Sequence, residues 1–327
     1  MKVVVPGGSG HLGTLLARRW HRSGHEVVVL SRRPKTAPWR TVAWDGRSPG
    51  DWRREIDGAA VVVNLAGRSV DCRYTPSHRR EILDSRVLST RAVGEAIAAS
   101  RTPPRLWLQA STATIYAHRF DGENDEAAGI LGGAEEGAPD TWRFSIAVAR
   151  AWEDEVDRVA LPRTRRVKLR SAMVMSVEPG GVFDVLLRLV RLGLGGRAGS
   201  GEQFVSWIHE EDYLRAVAWL VEHETLEGAV NLAAPNPLPN AQFMAAIRRA
   251  WGRRLGLPTA GILLEVGAML LRTETELILK SRRVVPARLR QSGFEFLFPE
   301  WPVAATELCR RWRDRRAHMF SDGRTGS

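Results

Sequence analysis

Val3-Val4-Val5-Pro6-Gly7-Gly8-Ser9-Gly10-His11-Leu12-Gly13 decides the fold. A short β-branched run gives way to glycines three apart, then to apolar residues at helical spacing, Leu12, Leu15, Leu16 and Trp20. That order reads as a buried strand, a tight turn and an amphipathic helix. Such a turn lets its backbone lie against a pyrophosphate, and the helix N-terminus offers free N–H groups and a partial positive charge. Glycines alone carry little; the strand before them and the helix after them make the reading specific. Gly7, Ser9, Gly10, His11, Leu12 and Gly13 are therefore the expected cofactor-binding residues of the turn.

Outward from this crossing, His25-Glu26-Val27-Val28-Val29-Leu30 reads as a second strand. It ends at Ser31-Arg32-Arg33, about twenty residues past the glycines, where the adenosine ribose is read in such folds. An acidic residue there would accept from a ribose 2′-hydroxyl and repel a 2′-phosphate. Serine and two arginines donate to a phosphate instead. The expected cofactor is thus NADP (NADPH) rather than NAD. The alternative, two arginines that merely solvate a strand end, stays open.

A third strand is expected around Val42, followed by a turn at Trp44-Asp45-Gly46. Residues 59–67 form a near-continuous apolar run ending in Leu65-Ala66-Gly67, as expected of a strand buried on both faces. Ile82, Leu83, Val87, Leu88, Val93 and Ile97 then mark a long helix packed on the sheet. Leu106 to Thr112 is the next strand and ends in two hydroxyls, Ser111 and Thr112. Residues 117–140, rich in Gly, Asp and Glu, read as a long surface loop of the kind that often serves as a lid or binding element. A helix over 142–159 leads to a strand over 167–170. Alternating strands and helices predict an α/β fold, a doubly wound parallel sheet of Rossmann type. Ligands bind at the carboxyl ends of such strands, where Ser31, Leu65, Ser111 and Arg170 converge.

The second half is less regular. A helix is expected within 180–201, ahead of the glycine-dense segment 193–201, and a returning strand over 204–208 followed by a helix over 210–221. A further strand is expected over 229–232, and helices over 243–251, 262–271 and 303–312. The expected organisation is a Rossmann core over 1–170, completed by 204–234. A smaller, mainly helical substrate lobe takes 171–203 and 235–315, and 316–327 form a disordered tail.

The 327 residues carry a net charge of +11. The excess is almost all arginine spread along the chain, with lysine only at Lys2, Lys35, Lys168 and Lys280, so it forms no nucleic-acid-binding stripe. No run approaches the roughly 18 apolar residues of a membrane span. Cys72 and Cys309 are too few and too distant for a disulfide framework or a metal site. The first residues enter a strand directly, without a leader pattern. A cytoplasmic protein follows, with a small-molecule substrate, no nucleic acid, no membrane and no metal. A helix pair of the core could support a homodimer.

With Gly7, Gly10 and Gly13 in the GxxGxxG form, the chain resembles the short-chain dehydrogenase/reductase superfamily. More closely it resembles an atypical extended member of the epimerase family, sugar-nucleotide-epimerase-like, with that family's C-terminal helical region. The resemblance rests on 6–13, 30–34, Asn64-Leu65-Ala66-Gly67, Asp84-Ser85-Arg86-Val87, 193–201 and Ser206-Trp207-Ile208-His209 with Asp212. It rests further on 231–240, Ser281-Arg282-Arg283-Val284-Val285-Pro286 and Gly293-Phe294-Glu295-Phe296. Pro6 stands where many members carry threonine. The resemblance implies NADP binding by the N-terminal lobe and a substrate cleft beneath the C-terminal lobe; it supplies no substrate.

Ordinary members of the superfamily use a tyrosine and a lysine four residues later on one helix face. The ammonium eases the phenol toward proton exchange while hydride moves. Aligned through Trp152-Glu153, those positions hold Ser145 and Ala149, and neither can do the work. Thr112 falls at the superfamily's carbonyl-binding hydroxyl, and Tyr116 is the candidate displaced proton donor. Leu65, Ala66, Gly67, Arg86, Ser111 and Arg170 join the cofactor set with Ser31, Arg32 and Arg33. Trp207, His209 and Arg283 are candidates for the substrate cleft, with an N-capping role open for His209 and a carboxylate partner open for Arg283. The expected function is an NADP(H)-dependent oxidoreductase or epimerase acting on a small carbonyl or alcohol. The alternative is a non-catalytic NADP(H)-binding sensor or scaffold.

Overall fold

Three valines of β1 (Lys2–Pro6) are fully buried, so the strand has no solvent face and must lie inside a sheet covered on both sides. The computed structural model describes residues 1–258 and 279–322 and shows that sheet. Seven parallel strands run in the order β10 (Gly228–Leu232), β6 (Arg165–Ser171), β5 (Leu106–Thr112), β4 (Val61–Asn64), β1, β2 (Glu26–Ser31) and β3 (Arg40–Ala43). The chain steps outward from β1 to β3, then returns to the other side of β1 to lay down β4. The switch point is therefore the gap between the carboxyl ends of β1 and β4, where open sheets of this kind bind ligands.

One face of the sheet is covered by α1 (His11–Arg22) and α6 (Glu210–Glu222). The other carries α2 (Arg53–Ile56), α3 (Pro76–Ala98) and α4 (Asp140–Asp157). The start of α3 is written locally: Thr75 accepts the His78 N–H at 3.2 Å, and Pro76 occupies the first turn.

The second lobe buries α5 (Val182–Arg191), α7 (Asn240–Trp251) and α9 (Trp301–Asp322) around its own apolar cluster. At its centre Trp301 stacks on Phe243 at 4.1 Å and meets Trp207 at 4.8 Å. The expected strand over 204–208 divides in two. β8 (Phe204–Val205) pairs antiparallel with β11 (Leu238–Pro239), and β9 (Trp207–His209) pairs with β7 (Met173–Met175). The short α8 (Ala287–Gln291) leads into the final helix. That helix continues through Asp322, so 316–322 are helical where a disordered tail was expected. The helix expected over 262–271 lies outside the described residues. No helix among the described residues is long and apolar enough to cross a membrane.

Candidate functional site

At the switch point Gly7 has φ +75°, and a Cβ built on it would stand 2.6 Å from the Ala66 nitrogen. Only glycine fits, because the conformation is left-handed and the neighbour is backbone. Its N–H donates to Leu30 O at 2.9 Å, and Leu65 N donates to Pro6 O at 2.8 Å, which ties the ends of β1, β2 and β4 together. Gly10 is the N-cap of α1, exposed, without a side-chain cap and without an acidic residue in the following turn. A Cβ there would meet only Gly7 O, at 3.5 Å. The first-turn N–H groups thus face open space and a favourable dipole, the requirements of a pyrophosphate. Half-buried His11 closes one side: its Nε2 lies 2.7 Å from Ser176 Oγ, and burial lowers its pKa despite the nearby Glu178 carboxylate.

Ser31 ends β2 with its Oγ 2.9 Å from Ser9 Oγ and accepts the Arg33 N–H at 3.2 Å. Arg32 and Arg33 are exposed, and neither guanidinium has a carboxylate partner among the described residues. The turn residues expected from sequence and this basic corner are therefore brought together. The end of β4 is fixed by fully buried Asn64, whose Nδ2 donates to Gln109 Oε1 at 2.9 Å while its Oδ1 accepts the Ala66 N–H at 3.1 Å. Arg86 lies under exposed Gly67, with its Cζ 3.4 Å from where a Cβ would stand. Its Nη1 donates to Ile82 O at 3.0 Å and its guanidinium sits 4.9 Å over the Trp152 ring. Burial pushes it down to about 10, and it has no carboxylate partner among the described residues.

Three expectations are corrected here. Arg170 and Ser111 are not open to a cofactor. Arg170 and Glu153, with side chains 9% and 8% exposed, form a bidentate pair at 2.8 Å on each arm, and Ser111 Oγ donates to the same carboxylate at 2.6 Å. Burial alone would lower the Arg170 pKa, but the Glu153 hydrogen bonds and charge hold it above the ordinary arginine value. Tyr116, only 2% exposed, accepts from Arg170 Nη1 at 2.9 Å and donates to Asn231 Oδ1 at 2.9 Å. Burial raises its pKa against the pull of Arg170. A phenol engaged at both ends and held neutral is a strut between strands, not a proton donor to a ligand.

The expected substrate-cleft residues also lie elsewhere. Trp207 is fully buried in the second lobe's core. His209 is the N-cap of α6: its Nδ1 accepts the Glu211 N–H at 3.1 Å, and its Nε2 lies 3.0 Å from Glu307 Oε2. Arg283 pairs with Glu123 at 3.4 Å over the Phe204 ring. The 117–140 loop is pinned rather than hinged. Its buried Asn124 exchanges backbone hydrogen bonds with Arg283 and Val285, and its Glu126 accepts the Asn231 N–H at the edge of the sheet. The 193–201 segment is likewise tied down, by paired hydrogen bonds between Gly193, Gly196 and Leu257.

What remains at the carboxyl edge is Thr112, half-buried. Its Oγ1 accepts the Thr114 N–H at 3.2 Å, which leaves the hydroxyl proton to donate. Beside β5, α4 presents Ser145, with its Oγ 3.5 Å from the Tyr74 hydroxyl. Tyr74 and the Asn64–Gln109 pair were missed by sequence reasoning. Tyr74 meets Ser145 across 71 residues, a separation no local pattern records. A groove of about 800 Å3 at the opposite end of β5 and β6 is rich in arginine. Its Arg105, Arg165, Arg166, Lys168 and Arg288 are engaged with carboxylates or backbone carbonyls, so it forms a solvated seam.

A family model described as the NAD dependent epimerase/dehydratase family matches residues 3–131. A second, a domain of unknown function (DUF1731), matches 261–308. The human epimerase family protein SDR39U1 is 31% identical over 311 residues, covering 94% of this chain and 99% of the relative. The epimerase family protein YfhF of Bacillus subtilis is 30% identical over 315 residues, covering 94% and 98%. A crystal structure of the human SDR39U1 protein (isoform 2) with NADPH superposes with a TM-score of 0.83 at 30% identity, covering 95% of this chain and 99% of that one.

Proposed function

This chain belongs to the epimerase family, and from that membership we propose that it is an NADPH-dependent oxidoreductase acting on a small carbonyl compound or secondary alcohol. The observation that carries the reading is the corner formed by Arg32 and Arg33, exposed and without carboxylate partners among the described residues, beside the Ser9–Ser31 pair at the end of β2. Guanidinium groups there favour a ribose phosphate, and an acidic side chain is missing from the place where it would repel one. The human relative's structure with NADPH supports the same cofactor. The N–H groups of the Gly10–Gly13 turn would hold the pyrophosphate, and Leu65, Ala66 and Gly67 would flank the neighbouring ribose. When bound, the dinucleotide supplies hydride chemistry. Thr112, with its spare hydroxyl proton, orients the carbonyl oxygen.

The test is fluorescence titration with NADPH and NADH. Wild type binds NADPH more tightly, and Arg32→Asp erodes that preference by about 1–2 kcal/mol, the worth of a charge-assisted hydrogen bond. Equal affinity in the wild type refutes the phosphate role. One observation favours a non-catalytic NADPH sensor instead: Ser145 and Ala149 lack proton-transfer chemistry. NADPH oxidation measured against a panel of small aldehydes and ketones separates the two.

A further inference from the structure

We propose that the outer face of the second lobe, formed by α5 and the loops that follow α5 and α7, docks on an anionic lipid surface. The inner side of α5 belongs to the core, where Phe183, Leu187 and Val190 are buried. Its outer side is apolar as well. Val182, Val185, Leu189 and Leu192 recur at spacings of three and four, so they form one stripe, and all but the half-buried Leu189 are exposed. A helix that is apolar on both sides has a second apolar phase to meet. The stripe continues past the helix end. Leu257 N donates to Gly193 O at 2.8 Å and Leu257 O accepts the Gly196 N–H at 3.1 Å, which joins the loop after α7 to the loop after α5. Leu192, Leu194, Leu255 and Leu257 stand on these two loops, between 45% and 86% exposed.

Charge identifies the phase. Residues 185–201 hold three arginines and residues 241–258 hold four, and neither segment contains an aspartate or a glutamate. Arg188 pairs with Asp184 at 2.8 Å, whereas Arg253 and Arg254 are exposed and have no carboxylate partner among the described residues. Arg191 lies 5.6 Å from the Trp251 ring and 4.6 Å from the Trp312 ring, and Arg313 and Arg316 of α9 cover the same two rings at 4.3 and 4.5 Å. Arginine is spread along the sequence, yet folding gathers these guanidinium groups around the leucines. An apolar patch rimmed by cations suits the boundary between acyl chains and acidic headgroups: the leucines enter the acyl layer, and each cation gains from the negative surface potential. A nucleic acid offers the leucines no apolar phase, and the tryptophans that could stack on bases are covered by arginine. No helix among the described residues could span a bilayer, and this attachment needs none.

The experiment is flotation of the full chain with vesicles of phosphatidylcholine, alone or mixed with phosphatidylglycerol. Binding is expected to the mixed vesicles only, and it should weaken steeply as salt is raised. Leu192→Ser with Leu255→Ser keeps every charge and should weaken binding about tenfold or more. Arg253→Gln with Arg254→Gln keeps every leucine and should weaken it about tenfold. Both variants alter exposed side chains, so both should unfold at the wild-type urea midpoint. Absence of binding to the acidic vesicles, or equal binding to neutral ones, overturns the proposal. Acidic-vesicle binding that the serine variant retains in full also overturns it, because the arginines then serve a polyanion such as RNA. A wild-type dimer that the serine variant dissociates in sedimentation velocity assigns the face to a second copy of the chain. A serine variant with a lowered urea midpoint means that the leucines are covered within the chain, and either of these results overturns the lipid assignment.

Discussion

Glu153→Gln isolates the buried pair on which β5, β6 and α4 converge. The native carboxylate accepts three charge-assisted or short hydrogen bonds: Arg170 Nε and Ser111 Oγ on Oε1, and Arg170 Nη2 on Oε2. Glutamine can retain the two on Oε1, but its amide nitrogen then faces the Nη2 donor across 2.8 Å, with two donors and no acceptor between them. The Arg170 charge is left buried without a counter-charge. Breaking a buried pair in this way costs about 3–5 kcal/mol, a large share of the roughly 5–15 kcal/mol that holds a domain folded. Urea denaturation followed by far-ultraviolet circular dichroism measures it. The double variant Glu153→Leu with Arg170→Met removes both charges and should recover most of the loss. A loss below about 1 kcal/mol, the worth of an exposed ion pair, refutes the assignment of this network to the structural core.

Gly7→Ala places a methyl against the Ala66 backbone in a left-handed conformation, so it should cost about 2–4 kcal/mol and weaken NADPH binding by at least tenfold; a stable variant with native affinity contradicts the close approach of β1 and β4. Glu155 accepts from Arg91 at 2.8 and 3.1 Å and from Arg158 at 3.3 Å, and these partners overcome burial to hold its carboxyl below the usual glutamate range. A pKa depressed by folding contributes stability that is complete above the unfolded value and lost as pH falls through the folded one. The gap between wild type and Glu155→Gln, read from urea midpoints, should therefore be full at neutral pH and close under acid; a constant gap refutes the pairing.

Sequence reveals most where structure is local and periodic. β1, the glycine turn and α1 are contiguous, so the strand, the positive-φ glycine and the helix dipole all leave marks within a dozen residues. The boundaries of β5 are legible for the same reason, since an apolar run must stop where hydroxyls begin. Side-chain partners are another matter. Arg170 at a strand end looks like a phosphate ligand until Glu153, seventeen residues earlier on a helix, is seen to occupy its fork. Trp207 looks like a cleft wall because aromatic residues suit both ligands and cores, and only packing against Trp301, far along the chain, decides between them. His209 shows the converse. The short spacing to the acidic start of α6 is a capping signal, and the alternative held open in sequence is the one its geometry takes.

The same geometry explains why restoring the superfamily's usual pair at 145 and 149 should fail. Ala149 is fully buried among Ala113, Ile115, Tyr116, Ala233 and Val284, with no room for a lysine stem and no water for its ammonium. A lysine there would also stand one helical turn before Glu153 and contest its carboxylate with Arg170, leaving one of two buried cations unpaired. A tyrosine at 145 would be driven into the Tyr74 hydroxyl, already 3.5 Å from the much smaller serine. Ser145→Tyr with Ala149→Lys should therefore lose about 3–5 kcal/mol of stability and gain no carbonyl-dependent NADPH oxidation. A double variant that unfolds at the wild-type urea concentration and turns over aldehydes faster would mean that α4 still holds space for the older arrangement, and that the Glu153–Arg170 pair has not taken its place.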